Sequence, residues 1–157
     1  MPKQLLLVFT LLLLSGCALK EESIQTHSYK IVVKTKTIRI ADAGFLKQSP
    51  GYQSLQIFTA GTAILRVELS DRACLNGRCT TREDFNTRLF GYAYYKNIMD
   101  DILSQRPLYN KKHLVKIDGG FKQQIQSKYY DIFYRVQNEN VYFKDTLNHV
   151  LIKLQRI

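Results

Sequence analysis

The sequence predicts an α+β domain: a strongly curved antiparallel β-sheet, an open half-barrel of about seven to nine strands, with two short helices inserted centrally and packed on its concave face. Three observations carry this expectation. Segments rich in Val, Ile, Tyr and Phe, bounded by turn residues, fill positions 28–70 and return at 114–157. Between them the apolar period changes from two to about 3.6. No repeat, low-complexity tract or second composition regime divides the chain.

The N-terminus reads as a targeting segment, a cleaved signal in preference to an uncleaved anchor. Lys3 precedes an apolar run, Leu5–Leu14, which closes on Ser15, Gly16 and Cys17. Such an ordering of charged, apolar and small residues is that of a secretory signal, and the run falls short of the ~20 residues a spanning helix needs. Leu14-Ser15-Gly16-Cys17 also resembles the lipobox of bacterial lipoproteins, in which an aliphatic and two small residues precede a cysteine that receives diacylglycerol. The resemblance implies a signal peptide over residues 1–16, cleavage before Cys17, and fatty-acyl (palmitate-type) lipidation of that cysteine. Ala18, where an aspartate would direct inner-membrane retention, implies a lipid anchor in the outer membrane facing the periplasm. Residues 17–27 are then the lipidated cysteine and a flexible tether, and 28–157 a single globular domain.

Ser28–Ile40 reads as one long strand. Its apolar parity shifts from Ile31 and Val33 to Ile38 and Ile40, which suggests a bulge or bend near Thr37, and Lys30, Lys34 and Lys36 fall on one face. Ala41–Gln48 is a short strand ended by Ser49-Pro50-Gly51. Gln53–Thr59 and Thr62–Ser70 form a hairpin across Ala60-Gly61.

Cys74-Leu75-Asn76-Gly77-Arg78-Cys79 is a tighter hairpin, because both central residues of a type I′ turn need positive φ and Asn-Gly supplies them. In that register Cys74 faces Cys79 as a non-hydrogen-bonded pair with Cα atoms about 4.5 Å apart, which makes a cross-strand disulfide feasible. With Cys17 carrying lipid, these two remain as an even pair in an oxidising compartment.

Thr80, three residues before Glu83, has capping-box spacing. It predicts a helix with Phe85 and Leu89 on one face, stopped by Gly91. Tyr95, Ile98, Met99, Ile102 and Leu103 predict a second helix that Pro107 prevents from continuing. Strands resume at Leu114–Asp118, Phe121–Ser127, Tyr129–Gln137, Val141–Lys144 and Val150–Ile157.

The chain carries a net charge of +10; loss of residues 1–16 removes one cation, Lys3, and no acid, so the mature chain stays near +9. In an envelope compartment such a charge directs attention to phosphate-bearing head groups and acidic cell-wall polymers, and away from nucleic acid. The histidines, His27, His113 and His149, fall in the tether and loops, with no serine or cysteine nucleophile arranged near them. Asp100 and Asp101 are helix neighbours that point about 100° apart and do not converge on one ion. Neither an enzyme, a metal site nor a cofactor is expected.

The order of elements gives a second resemblance. A lipobox, a meander, a central helix pair ending at Arg106-Pro107-Leu108, and strands closing on Val150-Leu151-Ile152-Lys153-Leu154 look like the outer-membrane lipoprotein receptor of the Lol pathway. That resemblance implies an open β-barrel over an apolar cavity that holds acyl chains. Two readings follow. One is a non-enzymatic interaction module, anchored to the membrane through Cys17 and docking an envelope protein, cell-wall or lipid head-group partner through a basic face with Lys30, Lys34 and Lys36. The alternative is an acyl-chain carrier or insertion factor with an apolar pocket lined by Ile57, Leu65, Phe85, Leu89, Ile98 and Ile102.

Overall fold

The computed structural model describes residues 23–157. The signal-peptide reading, the lipobox and Cys17 lie outside them. The described chain is a single antiparallel sheet of eleven strands in the order β6-β5-β4-β3-β2-β1-β11-β10-β9-β8-β7. It is unclosed, with β6 and β7 as its edges. The first six strands are β1 (Gln25–Lys34), β2 (Arg39–Ser49), β3 (Tyr52–Thr59), β4 (Thr62–Leu69), β5 (Ala73–Leu75) and β6 (Arg78–Thr80). After the helices come β7 (Leu114–Ile117), β8 (Gly120–Gln126), β9 (Asp131–Gln137), β10 (Asn140–Asp145) and β11 (Val150–Arg156). The two meanders join where β1 pairs with β11, Ile31 opposite Leu154 and Val33 opposite Ile152.

Eleven strands replace the expected seven to nine, because both arms of the Cys74–Cys79 hairpin join the sheet as β5 and β6. Ser28–Ile40 is also not one bulged strand. The chain reverses at Thr35, whose N–H donates to the carbonyl of Ile38 at 2.7 Å while its hydroxyl accepts from the N–H groups of Thr37 and Ile38. Ile40 then lies directly opposite Val33. The parity shift is the signature of a hairpin, in which both strands turn their apolar residues to the same side. β1 also begins at Gln25, inside the span expected to be tether, where Gln25–His27 pair with Leu46–Gln48.

Backbones come close at β2. A Cβ on Gly44 would stand 2.2 Å from the Gln56 carbonyl oxygen and 2.5 Å from Ile31 Cδ1, so only glycine fits there.

Two short helices lie between β6 and β7. Helix α1 (Arg82–Phe90) is capped by Thr81, whose hydroxyl accepts from Asp84 N–H at 3.2 Å, one residue later than the expected Thr80 cap. Gly91 ends it, donating its N–H to the Thr87 carbonyl. Helix α2 (Ile98–Leu103) is shorter than its apolar period suggested. The amide of buried Asn86 donates to the carbonyls of Tyr95 and Lys96, which holds this stretch as an irregular lead-in. Arg82 ties the helices together through Asp100 at 2.7 Å.

The core fills the side of the sheet that the helices cover. Tyr29, Ile31, Val33, Leu46, Leu55, Val67, Tyr134, Phe143, Ile152 and Leu154 from the sheet bury against Phe85, Leu89, Phe90, Ile98, Met99, Ile102 and Leu103 from the helices.

Candidate functional site

Alternation in β1, β11, β10, β9 and β8 sends one residue set into the core and the other to the outer face. Because those strands are neighbours, their outward side chains line up in cross-strand rows. One row runs Val32, Lys153, Tyr142, Arg135, Lys122, each directly opposite the next. At about 4.8 Å per strand it spans roughly 19 Å. The adjacent row runs Lys34, Leu151, Lys144, Phe133, Gln124. Lys30, opposite Gln155, flanks the first row.

Lys30, Lys34, Lys122, Arg135, Lys144 and Lys153 are exposed, and the rows contain no carboxylate. None of them takes part in the three ion pairs among the described residues. One row further along β9 lies an acid, Asp131, and it is engaged. It accepts from Thr146, Gln124 and Gln126, and the Thr146 hydroxyl bond, foremost, holds its carboxyl below the ordinary range. Lys153 sits over the Tyr142 ring at 5.2 Å, and Tyr142 meets Phe133 edge-on at 5.9 Å. Arg135 and Tyr142 form the divide between two shallow grooves, of about 590 Å³ towards Lys30 and Val32 and about 350 Å³ towards Lys144 and Asp131.

The expected basic face is thus partly in place. Lys30 and Lys34 belong to it, but Lys36 does not. The chain leaves β1 at Thr35, and the Lys36 stem lies beside Gly91 at the end of α1, its Cδ 3.4 Å from where a Cβ on that glycine would stand. Sequence reading missed Arg135, Tyr142, Lys144 and Lys122 as members. Their outward parity is legible, but their adjacency to Lys30 and Lys34 depends on the long-range pairing of β1 with β11.

The six apolar residues set out as a pocket meet as packed core. Ile57, Phe85, Leu89, Ile98 and Ile102 are at most 1% exposed and Leu65 2%. None lines any of the grooves described. The disulfide is formed: Cys74 faces Cys79 in the expected register with Cα atoms 3.9 Å apart, closer than the 4.5 Å of an open strand pair. Its hairpin carries Asn76 and Gly77 at φ 50° and 79°.

The acids and histidines disperse. Asp100 binds Arg82, whereas Asp101 accepts from Arg106 Nε at 2.8 Å and the Tyr95 hydroxyl at 2.7 Å. Burial pushes the Asp100 carboxyl up, against the pull of Arg82. His27 lies in β1, and His113 and His149 occupy turns at φ 51° and 58°. Among the described residues no group of three His, Cys, Asp or Glu converges on a metal position. No described helix is long and apolar enough to cross a membrane.

Buried Asp145 had no sequence signal. Its carboxylate accepts from the Tyr94 hydroxyl at 2.5 Å, from the N–H groups of Asp131, Leu147 and Asn148, and from the Asn148 amide, locking the β10–β11 turn to β9. Burial, with that hydrogen bond second, pushes the Tyr94 phenol far up, so it stays a neutral donor.

No protein-family model matches the chain, and no curated protein is significantly similar to it.

Proposed function

We propose that this chain is a non-enzymatic envelope lipoprotein, anchored through a lipid on Cys17, whose outer sheet face docks on phosphate-bearing lipid head groups. The observation that carries the reading is the pair of cross-strand rows, with six exposed cations grouped on and beside them, no carboxylate among them, and none in an ion pair. Cations near an anionic membrane contribute about 1 kcal/mol each, so three engaged at once favour binding by on the order of 100-fold. That is weak for a free protein and adequate for one already tethered to a bilayer. Tyr142, Phe133 and Leu151 between the lysines add amphipathic surface suited to the head-group layer.

Co-sedimentation of the Cys17→Ala chain with vesicles tests the face apart from the anchor. Binding to phosphatidylglycerol vesicles that fades with salt and is absent from phosphatidylcholine supports the proposal. Equal binding to both, or to neither, contradicts it. The carrier reading makes a different demand: the packed side chains between helices and sheet must separate, and acyl chains must co-purify with the protein.

A further inference from the structure

The link between α2 and β7 holds the longest run of positive-φ non-glycine residues among the described residues. Tyr109, Asn110 and Lys111 take φ values of 47°, 54° and 65°, three consecutive non-glycine residues in the left-handed region. L-residues visit that region singly because the Cβ crowds the following carbonyl, and runs of this kind persist only where surrounding structure over-determines them. Buried Gln123 of β8 supplies that constraint. Its side-chain oxygen accepts the Leu108 N–H at 2.8 Å, and its amide donates to the carbonyls of Leu108 at 3.0 Å and Lys112 at 2.6 Å. One polar side chain grips both ends of the turn. Aromatic packing holds its start, with Tyr109 edge-on to Tyr95 at 4.6 Å and stacked on Tyr130 at 5.1 Å.

The turn forms one wall of a pocket of about 460 Å³, on the helical side of the sheet and separate from the outer cationic face. Tyr95, Asp101 and Arg106 supply much of the rest. Asp101 is occupied by Tyr95 and by Arg106 Nε, so it orients the guanidinium and leaves both terminal nitrogens of Arg106 with no protein acceptor among the described residues. Lys111 Nζ and the Asn110 side chain likewise make no hydrogen bond there. One carboxylate against two cations leaves the pocket one positive charge in excess. The donors without protein acceptors, on exposed Arg106, Asn110 and Lys111, are a planar guanidinium fork, an amide and an ammonium, with phenol rings alongside.

We infer that this pocket binds a ring-bearing monocarboxylate, with Arg106 holding the carboxylate in bidentate fashion, Lys111 adding charge and the ring lying against Tyr95 and Tyr109. A single excess charge suits a carboxylate better than a doubly charged phosphate, and the planar fork matches carboxylate geometry. The constrained turn fixes the backbone of Tyr109, Asn110 and Lys111 and the Tyr109 ring before binding, which spares the ligand the entropy of ordering those parts.

Titration calorimetry of the intact protein with glucuronate, benzoate and inorganic phosphate tests the inference. Saturable binding of glucuronate assigns a sugar acid and of benzoate an aromatic acid; either supports the site if phosphate binds more weakly. Arg106→Gln should weaken binding by about tenfold or more. Arg106→Gln also breaks the contact with Asp101, so Lys111→Gln, at an exposed position, serves as the second variant and should weaken binding several-fold with unchanged melting. Lys47→Gln on β2 should bind as the parent does. No binding at millimolar ligand, phosphate bound as tightly as the ring acids, or full affinity in both Arg106→Gln and Lys111→Gln would overturn the inference.

Discussion

The two faces of this sheet are written by the same strands, one residue apart, and they obey opposite rules. In β10 and β11, Val141, Phe143, Ile152 and Leu154 point inward and are buried, while Tyr142, Lys144 and Lys153 between them point out. Inward, sheet and helix side chains join one apolar cluster, and buried Asp145 and Gln123 have their hydrogen bonds met, while the Tyr134 hydroxyl and Asn86 Oδ1 are buried without a partner. Outward, six like charges are tolerated without partners. The inner face is organised for stability, and the outer face carries a charge pattern that stability does not require. Substitutions on the two faces should therefore move different observables.

The largest effect on folding belongs to the inner face. Phe85→Ala removes a ring that is 1% exposed at the helix–sheet interface and should cost about 3–5 kcal/mol in urea denaturation. Vesicle binding by the folded fraction should be unchanged. Next comes Asp145→Ala, which strands the Tyr94 hydroxyl and four nitrogen donors, three of them backbone N–H groups; a loss of about 2–4 kcal/mol is expected. Should Asp145→Ala unfold with near-parent stability, the polar hub would have no structural role. Replacing Cys74 and Cys79 by serine opens a short loop at the sheet edge and should cost about 2 kcal/mol on the loop-entropy scale. Amide exchange should then quicken in β5 and β6 ahead of the central strands.

Much of this division is legible in the sequence, and the limits have a physical form. The Cys74–Cys79 hairpin, the stop at Gly91 and the five C-terminal strands follow from local turn chemistry and period-two alternation, which act within a few residues. In sequence the turn at Thr35 reads as a bulge or bend because all these devices shift apolar parity, and Thr35-Lys36-Thr37 lacks the Gly, Asn or Pro that marks most turns. Three left-handed residues at Tyr109–Lys111 have no local signal either, since the constraint comes from Gln123, more than ten residues away. The outer rows depend on β1 meeting β11, a closure between chain ends that alternation within a strand does not specify. Parity along β1 therefore points to Lys30 and Lys34 but not to Arg135, Lys144 and Lys153, and it carries Lys36 along although the strand ends before Thr35.

The smallest expected effect on folding accompanies the most informative measurement. Arg135→Glu with Lys153→Glu reverses the centre of the cationic row at two exposed positions and should change stability by only about 0.5 kcal/mol each. In the Cys17→Ala background, partitioning of this double variant onto phosphatidylglycerol vesicles should fall on the order of 100-fold or more relative to the same chain with Arg135 and Lys153 intact, with melting nearly unchanged. Partitioning that stays at the parent level while the variant remains folded would contradict the docking role of the outer face.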